Sequence, residues 1–122
     1  LDVIAGNIAM KDVTRDEQGH AVPYRRRVTL FASGDAAGGG RSAPGVHVAG
    51  IVEDPSPFGL RFDPNHPDAI SSGPEQGYVR TSNVDYHAEM VNAMTAVRAY
   101  EANVTVIEMA KSMAADSLRL LA

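Results

Sequence analysis

The chain contains no cysteine and no tryptophan, and its aromatic content is three Phe and four Tyr. Without cysteine there is no disulfide framework, no thiolate zinc site and no Cys nucleophile. No run of 18 or more apolar residues occurs, so no segment is long and apolar enough to be a spanning helix. Basic residues are in the minority, and the formal net charge is −4. That balance argues against nucleic acid as a partner, because such proteins carry a basic face. The only dense basic run is Arg25-Arg26-Arg27, and on a strand its alternate members face opposite ways. No signal-peptide pattern opens the sequence. It begins on Leu1, in what reads as the last turns of a helix that starts upstream.

What is present is a chain of 122 residues, 44% of them apolar, a size for one domain. Leu1, Ile4 and Ile8 recur at helical spacing. Met10 to His20 is polar and turn-like. Four short strands are predicted over Tyr24–Phe31, Val46–Glu53, Phe58–Phe62 and Gly77–Thr81. Residues 33–45 form a Gly-rich segment without apolar periodicity, expected to be a mobile loop. Pro55 and Pro57 end the second strand, and Asp63-Pro64-Asn65-His66-Pro67-Asp68 is turn chemistry.

From Asn83 to Leu121 the sequence has no Pro and no Gly and reads as one helix, with Asn83 as its N-cap and Asp85 and Glu89 at its positive end. At ~1.5 Å per residue it would be ~57 Å long, far longer than so small a domain needs. Wound at 100° per residue, its side chains sort into sectors. One apolar stripe holds Met90, Met94, Val97, Tyr100, Val104, Ile107, Leu118 and Leu121. Much of it follows a seven-residue repeat with Lys111 as the polar departure, which is coiled-coil spacing. A second stripe holds Val84, Val91, Val106, Met109, Met113 and Leu120. Between the stripes lie a charged ridge (Arg98, Glu101, Glu108, Asp116, Arg119) and a small-residue face (Ala88, Asn92, Ala96, Ala99, Asn103, Ala110, Ser117). One covering helix buries one stripe only, and the rest of this circumference marks an interaction surface. The alternative, a helix buried in an ordinary bundle, needs more helices than the chain supplies.

Sites for chemistry are weak. Asp85, His87 and Glu89 do not share one helix face and read as a solvated first turn rather than a metal site. Asp63, His66 and Asp68 read as a proline-stiffened turn before a divalent-ion loop. Ser56 has no nucleophile elbow, Gly38-Gly39-Gly40 lacks the Lys-Ser/Thr of a phosphate loop, and Asn103-Val104-Thr105 is a glycosylation triplet placed mid-helix. No acid, base and electrophile assemble, so no catalytic, cofactor or metal residues are assigned and the chain is read as non-enzymatic.

Several segments in register resemble the bacterial flagellar basal-body rod proteins, in particular their C-type proximal-rod branch. They are Asn7-Ile8-Ala9, Pro23-Tyr24-Arg25-Arg26, Gly45-Val46-His47-Val48 with Ile51 through Phe58, Asp63 through Ala69, Gly77-Tyr78-Val79, Asn83-Val84-Asp85, Glu89-Met90-Val91 and Arg98 through Asn103. Met10-Lys11-Asp12-Val13 departs from the Asn/Ala/Thr-rich run that follows Asn-Ile-Ala in that family. The resemblance implies an α+β chain whose terminal helices (1–14 and 83–122) pair as a coiled coil and polymerise, with a small β-rich insert (15–82) between them. It implies a structural subunit of the proximal rod, a type III export substrate without a cleaved signal, working in the periplasmic section of the basal body to transmit torque. Its partners would be copies of itself, other rod subunits, the rod-base adaptor and the membrane-ring protein. The packing residues would be Leu1, Ile4, Ile8, Met90, Val91, Met94, Val97, Tyr100, Val104, Val106, Ile107, Met109, Met113, Leu118 and Leu121. The competing readings are another rod- or hook-type axial protein, or a small periplasmic ligand- or metal-binding domain built on the Asp63–Asp68 loop. The rod reading expects circular dichroism of the dilute subunit to show less helix than the terminal segments would give, rising on assembly. Full helix content at high dilution favours the binding domain.

Overall fold

The computed structural model describes residues 1–34 and 45–122; the greater part of the Gly-rich segment, and with it the expected mobile loop, lies outside them. The chain is α+β. Its elements are α1 (Asp2–Met10), β1 (Arg27–Ser33), β2 (Val46–Glu53), β3 (Gly59–Phe62), β4 (Tyr78–Thr81) and α2 (Tyr86–Leu120). β1 pairs antiparallel with β2, and β3 with β4, in two separate two-stranded sheets. α1 packs against the start of β1 and against α2.

All four expected strands are present. The first begins at Arg27 rather than Tyr24: the Tyr24 N–H goes to the Val13 carbonyl and the Arg26 N–H to Asn83 Oδ1, away from the β2 ladder. The first helix stops at Met10, well before residue 14. β1 and β2 run in register from Arg27↔Glu53 to Leu30↔Gly50, then shift by one residue. The bulge leaves Ala49 unmatched and puts Phe31, Val46, Val48 and Ile51 on one face. That face is open: Phe31 is 69% and Val46 71% exposed. A two-stranded hairpin with apolar residues in water is marginal by itself.

β3 and β4 are joined by residues 63–77, folded back by Asp63 N–H to Gly77 O (3.0 Å) and by reciprocal bonds between Ile70 and the Gly77–Tyr78 segment. Phe62 meets Tyr78 edge-to-face at 5.2 Å between ring centroids. Val79, 0% exposed, is the one fully buried aliphatic side chain among the described residues. The proline-stiffened turn is a fastener. Asp68 accepts from Thr14 Oγ1 at 2.9 Å and from Arg15 Nε at 2.8 Å, tying the loop after α1 to this sheet. The Arg15 guanidinium holds the Asp68 carboxyl below the usual carboxylate range.

α2 is 35 residues long, so ~52 Å. Its cap is Asp85, not Asn83: the Asp85 carboxylate accepts from the N–H groups of His87 and Ala88, as an N-cap side chain does. Asn83 faces the other way. It accepts from Arg26 N–H at 2.7 Å and donates to the carbonyls of Asp54 and Ser56 at 3.2 Å each. A long-range use for an amide two residues before a good cap has no signature in local sequence.

Gly77 sits at φ +82, and a Cβ there would lie 3.1 Å from the Phe62 ring. Gly77→Ala is expected to destabilise the β3–β4 unit by ~1–2 kcal/mol, read as a lower urea midpoint. Gly73, at φ +97 with open space around it, serves as the comparison, and Gly73→Ala should cost less.

Candidate assembly interface

The chain has two contrasting surfaces around α2. The first is a buried polar junction at its N-terminal end. Asn7, on α1, is 1% exposed, and all four of its side-chain hydrogen-bonding positions are used. Its Oδ1 accepts from Arg27 N–H at 2.9 Å and from the Tyr24 hydroxyl at 3.1 Å. Its Nδ2 donates to Arg27 O at 2.8 Å and to Glu89 Oε2 at 3.2 Å. The amide thus meets both backbone groups of the first β1 residue, as a neighbouring strand would.

Glu89, on α2 and also 1% exposed, receives Arg26 Nε on its other oxygen at 2.8 Å. Arg26 continues to Asp54 Oδ2 at 3.1 Å. The Arg26 guanidinium is held more firmly protonated by Glu89 first and Asp54 second. Asp54 also accepts from the Ser56 hydroxyl and N–H. The Ser56 bonds, then Arg26, bring its carboxyl down to about 2. Flanking residues use their cations locally: Arg25 stacks over Phe58 at 4.3 Å, and Arg27 lies over Tyr24 at 5.6 Å. The basic run is a set of three separate contacts. No buried side-chain polar atom among the described residues lacks a partner.

This junction corrects the reading of Glu89 as part of a solvated first turn. A carboxylate in the first turn of a helix ordinarily faces water, and a cation four strands earlier in the chain is invisible to local pattern. Asp85, by contrast, caps the helix, and exposed His87 meets the Tyr86 ring edge-on. Ser56 spends its hydroxyl on Asp54. The signal that was available is the Asn7-Ile8-Ala9 motif itself: a polar residue on an otherwise apolar helix turn.

The second surface is the remainder of α2. Every residue from Val97 to its end is exposed. Of the first stripe, Met90 is half-buried, and Met94, Val97, Tyr100, Val104, Ile107, Leu118 and Leu121 are exposed. Of the second, Val84 is half-buried, and Val91, Val106, Met109, Met113 and Leu120 are exposed. On α1, Ile4 and Ile8 are half-buried and Leu1 is exposed. The structure therefore brings α1 beside the start of α2 only. Met90, Ala93, Met94 and Val97 line an apolar groove there, rimmed by Arg98 and Glu101. The distal residues meet nothing within the described chain.

Such an arrangement offers long apolar contact on several sides of one rigid element, fixed at one end to a β unit by charge-assisted hydrogen bonds. Among the described residues, no helix is long and apolar enough to cross a membrane.

Residues 75–120 match the family model described as the flagellar basal body rod FlgEFG protein C-terminal. Nearly the whole chain aligns with curated relatives named flagellar basal-body rod protein FlgC. It is 43% identical to that of Borreliella burgdorferi, over 99% of this chain and 86% of the relative. It is 39% identical to that of Bacillus subtilis, over 98% and 85%. It is also 39% identical to that of Salmonella typhimurium, over 98% and 84%.

Two outcomes test the junction. Asn7→Ala strands Arg27 backbone groups and one Glu89 oxygen, and should cost ~2–3 kcal/mol by urea unfolding. The folded Asp54 carboxyl titrates at about 2, against an ordinary ~3.9. Its contribution is therefore complete above the unfolded value and is lost as pH falls from ~3.9 toward ~2. Asp54→Asn should flatten the fall of stability across that window.

Proposed function

The chain belongs to the FlgC family of flagellar basal-body rod proteins, and on that premise we propose that α2 is a section of a wall shared between subunits. The protein is a structural subunit of the flagellar basal-body rod. The finer reading is that it builds the proximal, periplasmic part of that rod, where it polymerises helically and transmits torque, after type III export. The terminal segments 1–14 and 83–122 form the polymerisation unit, and 15–82 the β-rich insert. A helix from the N-terminal side of the chain pairs with the first stripe as a coiled coil, with Leu1, Ile4 and Ile8 on its seam. Copies of the chain and other rod subunits cover the second stripe and the small-residue face. The rod-base adaptor and membrane-ring protein would be met at the end of the assembly. The reading assigns no enzymatic role.

One observation carries this reading: from Val97 on, α2 and Leu121 just after it expose large apolar side chains around most of the helix circumference, Ile107 at 54%, Met113 at 71% and Leu121 at 85%. Isolated exposed apolar residues are ordinary, but continuous apolar stripes mark contact surfaces. A helical polymer uses heterologous contacts, in which one patch meets a different patch on the next copy. Two stripes with distinct neighbours meet that requirement. The exposed β1–β2 face adds a further apolar patch away from the helix.

The test is Val104→Asp and Ile107→Asp. Both sites are exposed in the single chain, so the isolated fold should be unchanged by circular dichroism of the β unit and by urea midpoint. In the assembled rod an unpaired carboxylate would sit in a packed seam, at a cost of several kcal/mol. Rod assembly and swimming in soft agar should be lost. Normal motility in these variants would sink the seam assignment.

A further inference from the structure

We propose that Met109 and Met113 make assembly of this subunit sensitive to oxidation, and that the assembled state shields them. The inference rests on the assignment of the second α2 stripe as a contact surface. With no cysteine in the chain, its five methionines carry all of its sulfur. Four of these lie on α2, in the apolar stripes. Met109 and Met113 stand one turn apart, four residues along the same face, and are 61% and 71% exposed. They lie far beyond the buried junction, in the stretch of α2 whose residues are all exposed. A change at their sulfur atoms therefore bears on association while leaving the Asn7–Arg26–Glu89 contacts alone.

The chemistry requires a two-electron oxidant, for which hydrogen peroxide is the stated reagent. A thioether lone pair attacks one peroxide oxygen and the O–O bond breaks. The sulfur gains that oxygen as a sulfoxide, and the other oxygen leaves as water after proton transfer. Sulfur is oxidised by two electrons and peroxide is reduced by two. The product is polar and chiral where the thioether was apolar and adaptable. Two sulfoxides on adjacent turns put strong, strongly hydrated acceptors into a stripe that Val106 and Leu120 otherwise make apolar. The susceptible population is the subunit before incorporation; once packed, the same sulfurs are shielded.

The test uses the full chain. Self-association is followed by sedimentation before and after hydrogen peroxide treatment, with sulfoxides located by mass spectrometry. Association should weaken by about tenfold or more when Met109 and Met113 are oxidised. Met109→Leu/Met113→Leu should associate normally and keep that association through the same treatment. Methionine sulfoxide reductase should restore the oxidised parent. In intact basal bodies both residues should oxidise far more slowly than in the free chain. Undiminished association of the doubly oxidised chain overturns the proposal, as does equal loss in the double Leu variant. Failure of the unoxidised chain to associate through this stripe overturns the underlying interface reading instead.

Discussion

A carboxylate that is 1% exposed on a helix must be paired, and the position of Glu89 governs how this chain is put together. Its two oxygens are taken by Asn7 on α1 and by Arg26 just before β1. Asn7 in turn meets both backbone groups of Arg27, and Arg26 reaches Asp54 after β2. Four segments distant in sequence converge on a few charge-assisted hydrogen bonds. Removing any member leaves another buried polar group without a partner, which is more costly than the net gain of forming the bond. Such a junction is directional in a way that apolar packing is not. It fixes the angle at which α2 leaves the β unit.

Beyond that junction the balance reverses. Among the described residues Val79 is the fully buried aliphatic side chain, while α2 and the β1–β2 hairpin present rows of apolar residues to water. A single chain with so small an apolar interior gains little from burial, since stability ordinarily comes from apolar area removed from water. On the assembly proposed above, neighbours in the rod supply the missing area, and that accounts for the allocation. Polar contacts specify the shape of the subunit, and apolar surface is left for the assembly.

Much of this was legible in the chain itself. All four strands were, because Pro55, Pro57 and the Asp63–Asp68 turn punctuate them. The length of α2 was legible because nothing between Tyr86 and Leu120 breaks a helix, and its stripes because periodicity survives without tertiary contacts. The junction was not. Asn83 and Asp85 both have N-cap chemistry, and only a contact with Arg26, four strands earlier in the chain, separates them. Glu89 in a first turn has the same local pattern whether it faces water or a guanidinium. Arg25-Arg26-Arg27 looked like a strand with alternating cations, whereas each cation has its own partner. Long-range polar pairing leaves no period to read.

The central claim is that α2 beyond Val97 is unsupported in the single chain and packed in the rod. Amide hydrogen exchange measures this directly, comparing the purified subunit with intact basal bodies. Backbone opening in an unsupported helix is easy, so residues 97–121 should exchange rapidly in the free subunit, while amides at the Glu89 end and in the β strands exchange slowly. In basal bodies the distal stretch should become as protected as the junction. Equal protection of residues 97–121 in both states would contradict the account.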